Sequence, residues 1–344
     1  MSNHTTLPAE WAPQSAVMLT WPHGDTDWAP ILDDIEQVYL HIAAEITLRE
    51  KLLIVCANDA HQSHIEQLLK NHHIDLLQCL LKQAPSNDSW ARDHGPITVF
   101  SNGQPCLLDF QFNGWGGKHD ADLDNHINQA LTNSGVFKAP TLSIPMVLEG
   151  GSIESDGEGT LLTTRECLLT PTRNPTLNEK DVEQALHTHF GIQRVLWLDH
   201  GYLAGDDTDS HIDTLARFCA PRTIAHVVCE DPEDEHFSAL CAVQQQLESF
   251  TTGDGQPYRL IPLPLPSPCY DEDKQRLPAT YANFLIINGA VLVPTYDDPM
   301  DDVALDRLKP AFPNHPVIGI QCLTVIQQHG SLHCLTMQLP AGVI

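Results

Sequence analysis

The 344-residue sequence predicts an α/β fold made of five repeated units. Three observations carry this expectation. Helix-like and strand-like segments alternate along the whole chain. Four segments share one layout: a polar or charged residue, a strand, a tight turn, then a second strand. The strand-like runs nearest the two ends, residues 16–21 and 333–339, are left without neighbours and would complete a fifth unit by pairing with each other. Units of strands plus a helix that recur every 50–70 residues suggest radial repetition around a centre.

The elements follow in order. After the first strand, Ile31, Ile35, Val38, Ile42 and Ile46 recur at helical spacing, so residues 31–48 read as a helix leading into the strand Lys51–Cys56. Residues 61–72 form a second helix, with Ile65, Leu68 and Leu69 on one face. From Asp93 the first hairpin runs over 97–100, turns at Asn102-Gly103 and returns over 106–110. From Glu149 the pattern repeats over 152–154, Asp156-Gly157 and 160–163. A helix over 178–189 enters after Pro175 and stops near Gly191. The third hairpin starts at His211, runs over 215–218, turns near Pro221 and returns over 223–228; a helix over 232–250 follows. The fourth covers 281–287, Asn288-Gly289 and 291–294, followed by a short helix over 300–309. Asn-Gly and Asp-Gly between β-rich runs are strong hairpin signals. The unit starts are 56, 62 and 72 residues apart, from Asp93 through Glu149 and His211 to Asn283. The proline-rich run 261–268 is a stiff joint. No flexible linker divides the chain, so residues 1–344 read as one domain.

Composition narrows the function. Hydrophobic residues make up 42% and charged residues 18%, enough for a well-buried core. A net charge of −27, from 18 basic and 45 acidic residues, argues against nucleic acid as a partner, because phosphate binding is driven by Lys and Arg. It favours cationic small molecules. Residues 1–10 show no signal-peptide pattern and no run is long enough to span a membrane, so the expectation is a cytoplasmic protein. Ten scattered cysteines without a paired framework suit a reducing compartment. The oligomeric state is not legible, and a homo-oligomer is compatible with everything above.

The chemistry-bearing residues lie in turn-like segments. Near the C-terminus the chain reads His329-Gly330-Ser331-Leu332-His333-Cys334; upstream stand Trp90 to Pro96, Glu149 to Ser152 and Ser210 to Asp213. A thiol, an imidazole and several carboxylates are the parts needed to attack a planar guanidinium carbon. Asp93 and Asp213, each expected at a strand start, would grip the cation through charge-assisted hydrogen bonds. Cys334 would attack as a thiolate, its ionisation favoured by cationic neighbours or by the substrate. His211 would shuttle protons and Glu149 would orient it. Trp90 would stack on the flat cation. Taken alone, each has a plainer reading: a turn aspartate, a structural cysteine, a packed aromatic. The 19 histidines raise a metal-dependent hydrolase as an alternative, although no HExxH or finger framework occurs. No phosphate-binding loop is present; Gly150-Gly151 precedes a strand rather than a helix.

Together these segments resemble the agmatine deiminases, relatives of the bacterial peptidylarginine deiminases within the guanidino-group-modifying superfamily. The matching pieces are Leu7-Pro-Ala-Glu-Trp11, Asn87-Asp-Ser-Trp-Ala-Arg-Asp-His-Gly-Pro96, Leu148-Glu-Gly-Gly-Ser152 with Asp156-Gly-Glu-Gly-Thr160, Gly205-Asp-Asp-Thr-Asp-Ser-His-Ile-Asp213, and His333-Cys334. The resemblance implies a five-bladed, pseudo-symmetric α/β propeller of pentein type with a central active site. It also implies hydrolysis of agmatine to N-carbamoylputrescine and ammonia through a Cys-thiouronium intermediate, without metal or organic cofactor, in putrescine synthesis. By motif, Cys334 is the nucleophile, Asp93 and Asp213 hold the guanidinium, His211 and Glu149 handle protons, and Trp90 and Asp207 line the site. Asp207 would receive the distal ammonium. Two departures stand out: Gln328-His329-Gly330-Ser331 replaces the usual Gly-Gly-Gly-Asn, and Asp209-Ser210 replaces Asn-Gly before His211. Free arginine or peptidyl-arginine is the alternative substrate, although the acidic run Asp206, Asp207, Asp209 favours an amine. A non-catalytic binding propeller would share the same hairpins.

Overall fold

Short β-rich runs separated by amphipathic helices cannot build one broad sheet, and here they build five narrow ones. A computed structural model, which describes residues 5–344, shows the same three-strand core in each. A central strand pairs antiparallel with the strand before it and parallel with a strand reached through a helix. The first complete hairpin is Ile97–Ser101 with Gln104–Gln111, then Thr141–Val147 in parallel across the helix Ile127–Asn133. Next come Glu154–Ser155, Thr160–Thr164 and Arg194–Leu198 around the helix Glu179–Phe190. Ala216–Ala220, Thr223–Val228 and Arg259–Pro264 follow around Phe237–Ser249. Leu285–Ile287, Ala290–Thr295 and Val317–Gln321 follow around Met300–Leu308. The remaining sheet joins the chain ends: Thr336–Pro340 lies antiparallel to Gln14–Thr20, which runs parallel to Lys51–Cys56 beyond the helix Leu32–Thr47. The expected pairing of the two ends is therefore present.

The inner strands are buried on both faces, as expected where helices cover a sheet. Val17, Met18, Leu19, Leu52, Leu53 and Ile54 have no exposed surface. Each such side chain contributes about 1.5–3 kcal/mol on leaving water. Helix entries are set by side chains. Asn178 accepts from the amides of Lys180 and Asp181, and Asp181 returns the bond to complete a capping box. The helix expected over 232–250 starts later, at Phe237, because Asp231 and Asp234 accept the amides of Glu233 and His236 and hold the preceding residues in turns. No helix among the described residues is long and apolar enough to cross a membrane.

What positions the site is a recurring feature of these units. Just before the first strand of each, the chain makes a tight turn: Ala91–His94, Gly150–Ser152, Ile212–Thr214, the residues around Asn283, and His333–Leu335. Asp93 and Asp213 thus sit in helical turns rather than at strand starts. Gly150 and Gly151 likewise open a single 3-10 turn before a two-residue strand. Several of these turns pack directly on one another.

Candidate active site

The turns carry their polar side chains into one buried cluster. Cys334 Sγ lies 3.4 Å from Asn283 Oδ1 and 3.8 Å from Asp213 Oδ2. Burial, then the carboxylates of Asp213 and Asp93, push this thiol well above its ordinary range. The cationic neighbours expected beside it are elsewhere engaged: His329 Nδ1 meets Gly205 O at 2.9 Å, and His333 faces two carboxylates.

His211 is fully buried between two acids, with Nδ1 3.7 Å from Asp93 Oδ1 and Nε2 3.6 Å from Glu149 Oε2. Both separations are too long for hydrogen bonds, and neither ring nitrogen has a hydrogen-bond partner. Burial opposes protonation of the ring, yet the surrounding charges, Asp93 foremost, raise it well above the usual imidazole range. Glu149 is held by Arg173, whose Nε donates to its two oxygens at 2.9 and 2.8 Å. Burial would raise Glu149, but His211 and Arg173 bring it below the normal value.

The two aspartates are fixed differently. Asp93 accepts from Gly151 N at 3.0 Å and from Trp115 Nε1 at 2.9 Å; burial lifts it to about 6, against the pull of His211. Asp213 Oδ2 meets His333 Nδ1 at 2.8 Å, while its Oδ1 is buried without a partner. Burial would raise Asp213, but His333 brings it down. Gly151 keeps the centre open, since a Cβ there would stand 2.6 Å from His211 Nδ1 and 2.9 Å from Asp93 Oδ1.

Above this cluster opens a cavity lined by Asp27, Asp88, Trp90, Asp93, Trp115, His119, Asp207, Thr208, Gln328, His329, Gly330 and Cys334. Trp90 donates from Nε1 to Asp88 Oδ2 at 3.0 Å and lays its ring against Gly330, where a Cβ would come within 2.2 Å of it. Asp207 reaches the rim, paired with His119 Nε2 at 2.9 Å. Asp209 and Ser210 both hold φ of 64°, a strained geometry for non-glycine residues, pinned by Arg173 on Asp209 and by Asp206 accepting the Ser210 amide.

All seven residues singled out from sequence therefore lie in or beside this site. Sequence reasoning assigned no role to Asn283, Trp115, Arg173, Asp88 or His119. Asn283 had a usable signal, since it opens the fourth unit as Asp93 and His211 open theirs. Among the described residues two groups place three potential metal ligands together: Glu149, Cys167 and His211, and Glu10, Glu154 and His333. In each, a buried arginine, Arg173 or Arg217, pairs with the carboxylates.

The model of the Porphyromonas-type peptidyl-arginine deiminase family matches residues 6–340. Among solved structures, a Porphyromonas gingivalis protein provisionally named arginine deiminase is 50% identical, with a TM-score of 0.92 and 99% of each chain covered. A Cys-to-Ser variant of C. jejuni agmatine deiminase, solved with substrate bound, is 37% identical, with a TM-score of 0.92 over 99% of this chain and 98% of its own. An agmatine deiminase of Medicago truncatula is 33% identical over 97% of this chain and 96% of its length. In fold alone, likeness extends to an amidinotransferase of Microseira wollei, 10% identical with a TM-score of 0.54.

Proposed function

The chain belongs to the Porphyromonas-type peptidyl-arginine deiminase family, and on that premise we propose that it hydrolyses agmatine to N-carbamoylputrescine and ammonia. One observation supports this most: a buried thiol, two aspartates and an imidazole meet at the floor of an acidic cavity. A flat monocation fits between Asp93 and Asp213, whose unpartnered Oδ1 offers an acceptor that the folded chain leaves unused. The acids Asp27, Asp88 and Asp207 further out suit a second positive charge. In this reading the five sheets are the blades of a propeller, residues 1–344 form one catalytic domain, and the protein works in the reducing cytoplasm that ten free cysteines suit.

The chemistry runs in two halves. The arriving guanidinium neutralises the carboxylates that hold the Cys334 thiol protonated, so the proton passes to solvent water and the thiolate attacks the central carbon. His211, charged between Asp93 and Glu149, gives a proton to the departing nitrogen as the C–N bond breaks, leaving ammonia and an S-alkylthiouronium. His211, now neutral, takes a proton from water as its oxygen adds to the carbon. The C–S bond then breaks as the hydroxyl proton of the adduct passes to the sulfur, returning the Cys334 thiol and the neutral ureido product. Holding sulfur against carbon is worth on the order of 7–11 kcal/mol when alignment is good.

A second reading, an arginine substrate, is favoured by the name of the 50%-identical relative. The acidic rim argues against it, since an α-carboxylate would meet Asp27, Asp88 and Asp207. Comparison of kcat/KM for agmatine, free arginine and an arginyl peptide decides between them. We expect agmatine to lead by at least about tenfold; an arginine preference would overturn the assignment.

A further inference from the structure

Behind the site lies a second cavity, lined among others by Glu10, Arg92, Gly150, Glu154, Met337 and Gln338. Between the two cavities runs a line of closely spaced polar groups. Glu10 Oε1 lies 2.7 Å from His333 Nε2, His333 Nδ1 lies 2.8 Å from Asp213 Oδ2, and that oxygen lies 3.8 Å from Cys334 Sγ. Exposure falls along the line, with side-chain values of 17% for Glu10, 1% for His333 and 0% for Asp213. Glu10 is itself fixed from several sides. Arg217 pairs with it, Arg92 Nη1 approaches to 3.2 Å and Gln338 Nε2 donates at 3.0 Å. Arg217 also reaches His333 Nε2 at 3.0 Å and pairs with Glu154.

We propose that Glu10 and His333 are positioning residues for Asp213: Glu10 anchors Arg217 and so locks the imidazole, the imidazole pins one oxygen of Asp213, and the other oxygen is left aimed at the guanidinium. The proposal rests on the guanidine reading of the site, and gives the segment Leu7 to Trp11 a part in it although that segment touches neither substrate nor thiol. The ring is suited to the task because its two nitrogens point in opposite directions. Burial and the guanidinium groups of Arg217 and Arg92 keep it neutral. Its Nδ1–H therefore donates to Asp213, while Nε2 accepts from Arg217, which Glu10 holds in place. A carboxylate free to rotate in this buried space would turn Oδ1 toward Asn283 or the sulfur and lose its grip on the cation.

The test compares two substitutions of the same ring. In H333N the amide nitrogen stands where Nδ1 stood and keeps the bond to Asp213. In H333Q the amide reaches toward Glu10 and that bond is lost. H333Q should raise KM for agmatine about tenfold, roughly the worth of one charge-assisted hydrogen bond, with kcat changed less. H333N, which keeps the pin but loses the lock, should fall between wild type and H333Q, about threefold above wild type. A second readout needs no substrate: alkylation of Cys334 by iodoacetamide across pH, followed by mass spectrometry of its peptide. Once unpinned, Asp213 can turn toward the sulfur and oppose the thiolate more, so the H333Q profile should move to higher pH, with that of H333N between it and wild type. E10A, which also keeps the pin and loses the lock, should resemble H333N in both assays and add little to it in the double variant. If E10A does not fold, the H333N and H333Q pair decides alone. Equal losses in both His333 variants, or an E10A profile matching wild type, would overturn the proposal. Wild-type protein inert toward agmatine would instead overturn the substrate reading, and the alkylation series would still judge the brace.

Discussion

His211 and Arg217 are both fully buried and basic, yet their surroundings are opposite. Arg217 spends every nitrogen: Glu154 and Glu10 pair with it, the carbonyls of Phe284 and Ala282 accept at 2.7 and 3.3 Å, and the ring of Phe284 lies 4.8 Å away. His211 spends none, since its nearest acids stay beyond hydrogen-bond reach. A buried polar group left short of partners costs stability. The contrast teaches that Arg217 is held by a fully satisfied network, whereas His211 keeps its ring nitrogens free of short hydrogen bonds between two acids.

The comparison can be broken at either end. Arg217→Ala should cost about 3–5 kcal/mol in urea unfolding, because two carboxylates would be left buried beside an empty space. A loss under about 1 kcal/mol would mean that the network is not structural. Asp213→Asn should act chiefly on activity, lowering kcat/KM for agmatine by about 2–5 kcal/mol, at least roughly thirtyfold, with some loss of stability because, against burial, His333 holds the Asp213 carboxyl below its ordinary range. Unchanged kinetics with a lower melting temperature would make Asp213 a structural residue.

Protonation sharpens the contrast further. Asp93 titrates at about 6 in the folded protein, so below that pH it is neutral and cannot pair with a guanidinium. The acid limb of kcat/KM should therefore climb about tenfold per pH unit up to roughly 6 and then flatten. A limb centred near 4 would place an ordinary carboxylate there instead. The smallest effect expected is at Ser210. Ser210→Gly should stabilise the protein by about 1 kcal/mol, because glycine holds φ of 64° without strain. A destabilised variant would show that the Ser210 hydroxyl contact with Glu166 outweighs the strain.

Much of this was legible in the sequence because the residues that meet at the centre open successive units. Asp93, Glu149 and His211 head their hairpins, and turn dipeptides such as Asn288-Gly289 mark the reversals, with Gly289 at φ of 77°. What escaped has physical reasons. A four-residue helical turn such as Ala91–His94 is too short for periodicity to reveal, so Asp93 looks like a strand start. Trp115 reaches Asp93 from a loop whose residues 114–117 all have positive φ, a path that no hydrophobic pattern encodes. The expectation that histidines would ionise Cys334 failed because proximity in sequence is not proximity of charge. His329 turns to a carbonyl and His333 to two acids, leaving carboxylates to face the sulfur. Asp207 falls where expected, but its partner His119 lies 88 positions away and could not be paired with it by reading along the chain.

The antiparallel seam between Thr336–Pro340 and Gln14–Thr20 has a bearing on biosynthesis. A ribosome delivers the acids and His211 early, whereas the sulfur emerges with one of the last segments and is seated only when that strand docks beside the first. A polypeptide that stops short of that segment lacks the nucleophile altogether, whatever else of the site it has made.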